Sequence, residues 1–358
     1  MNNRVLSPMA LAAFFLAVVG LSAVLVTAQA PAATAKSTTP AKAVAPPKPA
    51  APAKSRWTLS RTPDGQPDLQ GFWTNTTYVP LERPKNVTKE FYTREEAAEM
   101  IKRAALVEEE QTEPGTVADV HYDFTQFGLD RSQGALAPNL RTSLIVDPRD
   151  GRIPPMTQEG QKRAAARAET RRGMGGPYDA AENQPLSVRC IIMDRIGPPM
   201  LAGAYNNNYQ IVQVPGYVMI LVEMIHDVRI IPLDGRPQLP QQVRQWTGSY
   251  RGRWEGDTLV VETTNFNGKN PFQGSSENMR LIERFTRVDE DTIRYQFTVD
   301  DPSTWTRPWS AEVPWAKTVG PLFEHACHEG NYGLANILAG ARLEEKRAAD
   351  AASKGTSK

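Results

Sequence analysis

Acidic, imidazole and guanidinium groups fall within one short stretch of the sequence. Glu223, His226, Asp227 and Arg229 lie in residues 223–229, which read EMIHDVR. A carboxylate beside an imidazole can act as a general acid or base when its surroundings bring its pKa near the working pH. The other interpretation is a buried Glu satisfied by an Arg or Tyr, with the His-Asp pair in an exposed turn. The stretch is therefore a candidate acid/base cluster, and both interpretations stay open.

A second group of candidates lies near the C-terminus, at His325, His328 and Glu329. Histidines three residues apart share one face of a helix and could hold a metal, but on a strand they point to opposite faces. The order Phe323, His325, Cys327 alternates as in a strand, so we expect no metal site. No motif predicts a cofactor either. His328 and Glu329 remain catalytic or hydrogen-bonding candidates in a loop at one end of a sheet.

A third group is suited to binding a neutral ligand. Amides and aromatic rings are interleaved in residues 205–209, and amides hydrogen-bond to hydroxyl groups while rings stack on apolar faces. Such a binder needs a sizeable cavity lined by aromatic rings and few charges. Alternatively, Asn tolerates turn conformations and aromatic rings fill barrel cores. The candidate ligand-binding residues are Tyr205, Asn206, Asn207, Asn208, Tyr209, Arg229 and Trp246.

Closely spaced strand patterns must position these side chains. Between residues 205 and 315, segments such as 292–299 alternate apolar and polar residues, and turns rich in Gly, Asp or Pro separate them. Residues 217–222 are apolar throughout, which predicts a central strand covered on both faces. The fold class is therefore mainly β, a single antiparallel barrel-like or sandwich domain with a few peripheral helices.

The same alternation makes a prediction about Glu223, because it shares a pleat face with Tyr217 and Met219. We expect its carboxylate in the apolar interior, where loss of hydration raises the pKa unless a cation pairs with it. Arg229 reaches that face only if three residues join the two strands. Glu223 and Arg229 are thus expected to be interior polar anchors.

Helical patterns are confined to three segments. Residues 93–110 begin with the capping box of Thr93 and Glu96 and carry apolar residues near a 3.6 period. Residues 157–172 and 334–352 have the other two patterns, and we expect all three helices at the periphery.

The N-terminal composition predicts export. An apolar run at residues 9–26 is followed by small residues, so 1–28 is expected to be a signal peptide, or else an N-terminal anchor. Residues 29–56, rich in Ala, Pro and Lys, predict a disordered tether. The globular domain is expected at 57–343, followed by a polar, helical or frayed tail at 344–358.

Charge and cysteine content limit the partners and the compartment. The 41 basic and 40 acidic residues give a net charge of +1, so we expect no nucleic-acid partner and no membrane contact beyond an N-terminal anchor. Cys190 and Cys327 are the two cysteines, and in an exported chain they predict one structural disulfide. The expected location is periplasmic or extracellular.

Five motifs together resemble a family of exported, signal-peptide-bearing soil-bacterial proteins that have no assigned activity. The resemblance covers most of the globular part of the chain. It implies export and a β-rich body, and it implies no reaction and no catalytic residues. The motifs are PDLQGFW at 67–73, YNNNYQ at 205–210, EMIHDVR at 223–229, WEGDTLV at 254–260 and CHEGNYG at 327–333.

These observations favour an exported β protein that binds a small neutral or weakly polar ligand. The alternative is an envelope hydrolase or lyase that uses Glu223, Asp227 and His226 in acid/base chemistry. A second alternative is a structural envelope protein. The three hypotheses differ in whether a cavity exists and in whether the acid/base candidates converge on it.

Overall fold

A computed structural model describes residues 57–108, 136–193, 196–203 and 205–355 of the chain. The expected signal peptide at 1–28 and the expected tether at 29–56 lie outside the described residues, as do residues 109–110 of the first expected helix and 356–358 of the tail. Within the described ranges, no helix combines the length and the apolar character needed to cross a membrane.

Ten strands form a single sheet in the order β5-β4-β3-β1-β10-β9-β8-β7-β6, with β2 paired to β10 outside this path. Every strand pair is antiparallel. The strands are β1 (Gly71–Thr74), β2 (Ile145–Asp147), β3 (Asn208–Val214), β4 (Tyr217–Val222), β5 (Val228–Pro232), β6 (Ser249–Glu255), β7 (Thr258–Thr264), β8 (Arg280–Arg287), β9 (Thr292–Asp300) and β10 (Trp309–Lys317).

The sheet curls into a nearly closed barrel because its two end strands, β5 and β6, lie side by side. Gly252 on β6 permits this approach: a Cβ there would lie 2.6 Å from Cδ2 of Leu233 and 2.7 Å from Cγ2 of Ile231. Any larger residue would push the two ends apart. The predicted mainly β, barrel-like fold is confirmed, and this closure excludes an open sandwich.

Strand β1 joins the two halves of the barrel, because it pairs with β3 on one side and with β10 on the other. The sequence of β1 predicts a short aromatic strand, but it does not predict that this strand lies between the two halves of the barrel. The N-terminal half of β10 pairs instead with β2. Residues far apart in the chain therefore close the barrel wall.

Aromatic rings fill the barrel interior. Trp315 is fully buried, with its ring 4.4 Å from that of Tyr209, 5.3 Å from that of Tyr295 and 5.7 Å from that of Phe285 (centroid distances). Trp73, Trp305 and Trp309 are equally buried. Rings packed against one another at these distances form the aromatic core of the barrel.

The outer side of β4 differs from the prediction. Val218, Ile220 and Val222 face the interior and are buried, whereas Tyr217 and Met219 face outward and are partly exposed. The strand is thus covered on its interior face only, so the prediction that both of its faces are covered was wrong. Glu223 follows the end of β4 and does not share its interior face.

Three helices surround the barrel, at α1 (Arg94–Glu108), α2 (Gln158–Gly173) and α3 (Tyr332–Gly355). The predicted capping box is present, because the Glu96 amide donates to Oγ1 of Thr93 and the Thr93 amide donates to Oε2 of Glu96. Thr157 caps α2 by accepting the Gly160 amide. Helix α3 extends through most of the predicted tail.

Candidate functional site

A cleft of about 970 Å³ opens at one end of the barrel. In the described part of the chain, three loops form most of its walls: residues 77–81 after β1, residues 192–193 and 197–203 before β3, and residues 266–276 between β7 and β8. All three loops leave the barrel at the same end, because β1, β3, β7 and β8 pair antiparallel around the wall. The mouth of a barrel is a common place for a ligand site.

Among the residues that the structure describes, the lining of this cleft carries no charged side chain, although 23% of the chain is charged. Its rings are those of Tyr78, Trp246, Phe266 and Phe272. Its side-chain hydrogen-bonding groups, apart from the Tyr78 hydroxyl and the Trp246 indole, are neutral hydroxyls and amides. These belong to Thr77, Asn270, Gln273, Ser275 and Ser276. The surface therefore combines apolar area with a few neutral polar groups.

The wall at residues 197–203 is held at two points. The amide of Met200 donates to the Tyr295 hydroxyl (3.0 Å) in the barrel interior. The side chain of Asn207 accepts the Gly203 amide (2.7 Å) and donates to the Gly203 carbonyl (3.2 Å). One residue that was predicted to touch the ligand thus positions the loop that lines the cleft.

A buried ion pair supports the same wall from below. Arg229 and Glu283 are both fully buried and form a bidentate pair, with Nη1 of Arg229 2.9 Å from Oε1 of Glu283. The Tyr295 hydroxyl donates to that Oε1 (2.8 Å), and the guanidinium lies 4.7 Å from the Tyr250 ring centroid. Burial raises the pKa of Tyr295 well above its usual value, so it remains a neutral donor.

The partner of Arg229 corrects the sequence prediction. Arg229 lies opposite Ile220 and so faces the interior, where Glu283 on β8 neutralises it. Glu223 is beyond the end of the strand and takes no part. The alternation pattern could not reveal this pair, because two strands far apart in sequence bring it together only when the barrel closes.

Asp301 holds the opposite wall. Its carboxylate accepts the amide and the hydroxyl of Ser276 (2.6 and 3.1 Å) and the hydroxyl of Thr304 (2.6 Å). Burial opposes ionisation of Asp301, but these hydrogen bonds outweigh it and keep its pKa below the usual value. Arg167 of α2 donates to the carbonyls of Gly274 and Ser275 (both 3.1 Å), so the loop is fixed from outside as well.

Phe272 forms the floor of the cleft where it meets the barrel core. Its ring stacks on Trp309 with centroids 5.9 Å apart and meets Phe297 edge-on at 6.3 Å. The tryptophans below it are buried core residues, contrary to the expectation that several would contact a ligand. The cleft therefore rests on the packed interior without extending into it.

The predicted acid/base cluster lies at the rim, away from the lining of this cleft. Glu223 is buried, and its Oε2 accepts Nδ2 of Asn208 (2.8 Å). Burial raises the pKa of Glu223, partly offset by that hydrogen bond. The Nδ1 atom of His226 lies 3.3 Å from the carbonyl of His325, whose own Nδ1 accepts the Ile225 amide (3.2 Å).

The remaining catalytic candidates do not join them. Asp227 accepts the amide of Val228 and lines a neighbouring cleft of about 510 Å³, which shares Ile192 and Trp246 with the first cleft. His328 and Glu329 are exposed in a turn that precedes α3. Among the described residues, no group of three or more His, Cys, Asp or Glu side chains is placed to hold a metal ion. Of the five catalytic candidates, Asp227 lines the cleft of about 510 Å³, and none lines the cleft of about 970 Å³.

The predicted disulfide between Cys190 and Cys327 is present, with Cα atoms 5.7 Å apart and a sequence separation of 137. It ties the segment that precedes the cleft wall to the turn before α3. Ile192 and Met193, which line the cleft, follow Cys190 directly. The bridge therefore fixes the start of the same loop that Asn207 fixes at its end.

The predicted ligand-binding residues lie in different parts of the structure. Trp246 lines the cleft and is 36% exposed, and Lys269 lies 5.9 Å from its ring centroid. Tyr209 is in the barrel core, where its hydroxyl accepts Nδ2 of Asn75. Tyr205 lies beside His325, with ring centroids 6.2 Å apart. Asn206 adopts a left-handed backbone conformation with φ of 53°.

Comparisons with protein-family models, with curated proteins and with solved structures find no match to this chain. The site must therefore be interpreted from its own geometry. Sequence reasoning missed the loop at 266–276, which was described only as polar. The signal that could have found it is the run NPFQGSS at 270–276, which places an aromatic ring among neutral polar residues without a charge.

Proposed function

We propose that this protein binds a small neutral, weakly polar ligand in the cleft at the mouth of its barrel. The observation that carries the proposal is that the described lining of a cleft of about 970 Å³ contains aromatic rings and neutral polar groups but no charged side chain. A volume of this size can enclose most of a small organic molecule.

The chemistry of the lining selects against ions. A charged ligand would lose hydration on entry and find no side chain of opposite charge, which is strongly unfavourable. A neutral ligand loses less hydration free energy on entry, because rings such as those of Trp246 and Phe266 cover its apolar surface. The hydroxyl and amide groups of Ser275, Asn270 and Gln273 can orient its polar atoms.

The walls favour binding because they are already ordered. Pro80, Pro198, Pro199 and Pro271 lie in the lining, and proline restricts its own backbone. Hydrogen bonds to buried groups hold the loops on both sides. A preorganised site loses little conformational entropy on binding, so more of the contact energy appears as affinity.

We also propose that this binding takes place outside the cytoplasm. The disulfide is the supporting observation, because such bonds persist in the periplasm and in secreted proteins. Fractionation of expressing cells, followed by labelling of free thiols, would test this. Recovery of the chain in the cytoplasm with both cysteines reduced would contradict it.

A thermal-shift screen tests the ligand class. The panel contains neutral disaccharides, aryl glycosides and aromatic amides, each with a carboxylate and an amine analogue. A specific ligand at about 100 times its Kd adds about 2.7 kcal/mol to the free energy of unfolding, so we expect a rise of several degrees in Tm for neutral members alone. Equal shifts from the charged analogues would contradict the proposal.

Variants locate the binding. Gln273→Glu introduces a carboxylate at the cleft without changing side-chain shape, and we expect it to weaken the best neutral ligand by roughly tenfold or more. Gln242→Glu is the matched control, since Gln242 is exposed between β5 and β6 and does not line the cleft. Trp246→Ala should also weaken binding. Titration calorimetry that gives the same Kd for all three variants would place the ligand elsewhere.

A further inference from the structure

The outer face of β3, β4 and β5 is apolar and uncharged. Residues that alternate toward the outside on these strands include four well exposed ones: Ile230 (57%), Val214 (52%), Val228 (41%) and Tyr217 (37%). Aliphatic side chains at this exposure lose hydration favourably when a partner covers them. The full outward set on these strands is Asn208, Gln210, Val212, Val214, Tyr217, Met219, Leu221, Val228, Ile230 and Pro232.

The apolar members of this set form one continuous patch. Val212 pairs with Met219, which pairs with Ile230 on the next strand, so a row of three apolar side chains crosses the three strands. Leu221 and Val228 pair in the neighbouring row. Side chains at directly paired positions lie within about 5.5 Å of each other. A continuous patch of this kind marks an interaction surface, whereas scattered exposed residues do not.

The other half of the barrel wall shows that this patch is not a general property of the fold. On the outer face of β6 to β8, Nε of Arg280 lies 2.8 Å from Oε1 of Glu262, and Nε of Arg253 lies 2.9 Å from Oε1 of Glu255. Arg284 also pairs with Glu255. Ion pairs keep that face hydrated. On the β3–β5 face the charged groups lie at the edges, where Arg236 donates to the Tyr217 hydroxyl (3.1 Å) and Glu223 accepts Nδ2 of Asn208 (2.8 Å).

We propose that the β3–β5 face packs against the same face of a second copy of this chain. An uncharged apolar patch offers a charged partner nothing to pair with, so its occupant must present an equally apolar surface. A second copy carries such a surface in matching shape, because in a twofold dimer each patch covers the other. Polar residues border the patch at both strand ends, at Asp234 and Arg236 on one side and at His226 and Asp227 on the other. An apolar centre with a polar border is the usual anatomy of a protein interface.

The size of the patch determines the strength of the dimer. Seven apolar residues that each cover on the order of 60 Å² bury roughly 400 Å² per copy, or about 800 Å² in total, against about 1,600 Å² for a standard stable interface. The dimer is therefore reversible, forming at tens to hundreds of micromolar and dissociating on dilution. Two sheets packed face to face would lie about 10 Å apart.

Sedimentation velocity on the purified chain, from about 1 µM to about 500 µM, tests the proposal. We expect the mass to rise from monomer toward dimer across this range. Ile230→Lys puts a charge at the centre of the patch and should weaken association more than tenfold, leaving a monomer at every concentration. Val228→Lys provides the same test if Ile230→Lys fails to fold.

Ile282→Lys is the matched control. Ile282 also points outward from the barrel, but on β8 between Glu262 and Thr298, so the same substitution there should leave the dimer intact. A wild-type chain that stays monomeric throughout would overturn the proposal, as would equal loss of association in the Ile230→Lys and Ile282→Lys variants. A monomer whose β3–β5 face binds lipid vesicles would assign the patch to a membrane surface instead.

Discussion

The barrel interior and the cleft at its mouth are both lined by aromatic rings, but charged side chains lie in the interior and are absent from the described lining of the cleft. The interior contains Arg229 and Glu283, fully buried and paired with each other, among closely packed rings. The cleft contains open volume, and its described lining has no charged side chain. A charged side chain can be buried in the interior because the fold supplies its partner there. In the cleft only a ligand could supply that partner, and the described lining has no charged side chain.

The comparison also separates two roles for the same residue type. Trp315 and Trp309 come from a strand and pack at positions set by pleat alternation, so they are core residues. Trp246 and Phe266 come from loops, outside any alternation, and they line the cleft. Trp315 and Trp309 on the strand thus build the scaffold, whereas Trp246 and Phe266 on connecting loops form part of the candidate binding surface.

The largest effect is expected from breaking the interior pair. Glu283→Gln leaves the Arg229 guanidinium buried without a counter-charge, so we expect a loss of about 3 to 5 kcal/mol in the free energy of unfolding. Urea denaturation followed by tryptophan fluorescence measures it. Tyr295 and Met200 link the pair to the cleft wall, so affinity for a cleft ligand should fall as well.

Glu262→Gln is the control for that experiment, because Glu262 pairs with Arg280 on the hydrated outer face. Partly exposed pairs contribute about 1 kcal/mol or less. If both variants lost the same amount of stability, the Arg229–Glu283 pair would have no special structural role and the contrast between interior and exterior would fail.

A smaller effect is expected at the wall of the cleft. Asp301→Asn replaces an ionised acceptor of several hydrogen bonds, and we expect a loss of about 1 to 3 kcal/mol by urea denaturation. Because hydrogen bonds hold the pKa of Asp301 below its usual value, its stabilising contribution is present above the unfolded-state pKa and disappears as the pH falls through the folded-state pKa.

The difference in the free energy of unfolding between wild type and Asp301→Asn should therefore become smaller as the pH falls. Asp291→Asn is the control, since Asp291 is on an exposed turn with a single distant Lys317 partner. A gap between wild type and Asp301→Asn that does not change between pH 7 and pH 3 would show that the carboxylate charge is not what holds the wall.

The smallest effect is expected at Glu223, which belongs to neither region. Burial raises its folded-state pKa, so its contribution to stability is greatest below the unfolded-state pKa and is lost as the pH rises through the folded-state value. Glu223→Gln keeps an acceptor for Asn208 and cannot ionise. We therefore expect its Tm to equal or slightly exceed that of wild type at pH 7 and the two to converge near pH 4.

Thermal melts across this pH range test the assignment. A Glu223→Gln variant that is much less stable than wild type at pH 7 would show that the ionised carboxylate has a stabilising partner. A loss of ligand affinity in the same variant would extend the binding site beyond the cleft lining toward the rim.

Most elements could be predicted from local pattern, whereas the candidate site could not. The strand predicted at residues 292–299 and the capping box at Thr93 agree with expectation, because alternation and capping depend on neighbours in sequence. Trp246 was predicted to contact ligand and lines the cleft. Asn207 was assigned the same role but instead clamps Gly203, because a side chain that faces its own loop has the same sequence signature as one that faces a ligand.

By itself, the sequence determined that the chain is mainly β, where its main strands and helices begin to within a few residues, and that its two cysteines pair. Those properties follow from periodicity, turn chemistry and residue count, which are all readable along the chain. The tertiary structure decided that β1 joins the two halves of the barrel, that Arg229 pairs with Glu283, and that three distant loops enclose an uncharged cleft. Each of these depends on how the barrel closes, and closure brings together residues whose separation in sequence carries no information about their contact.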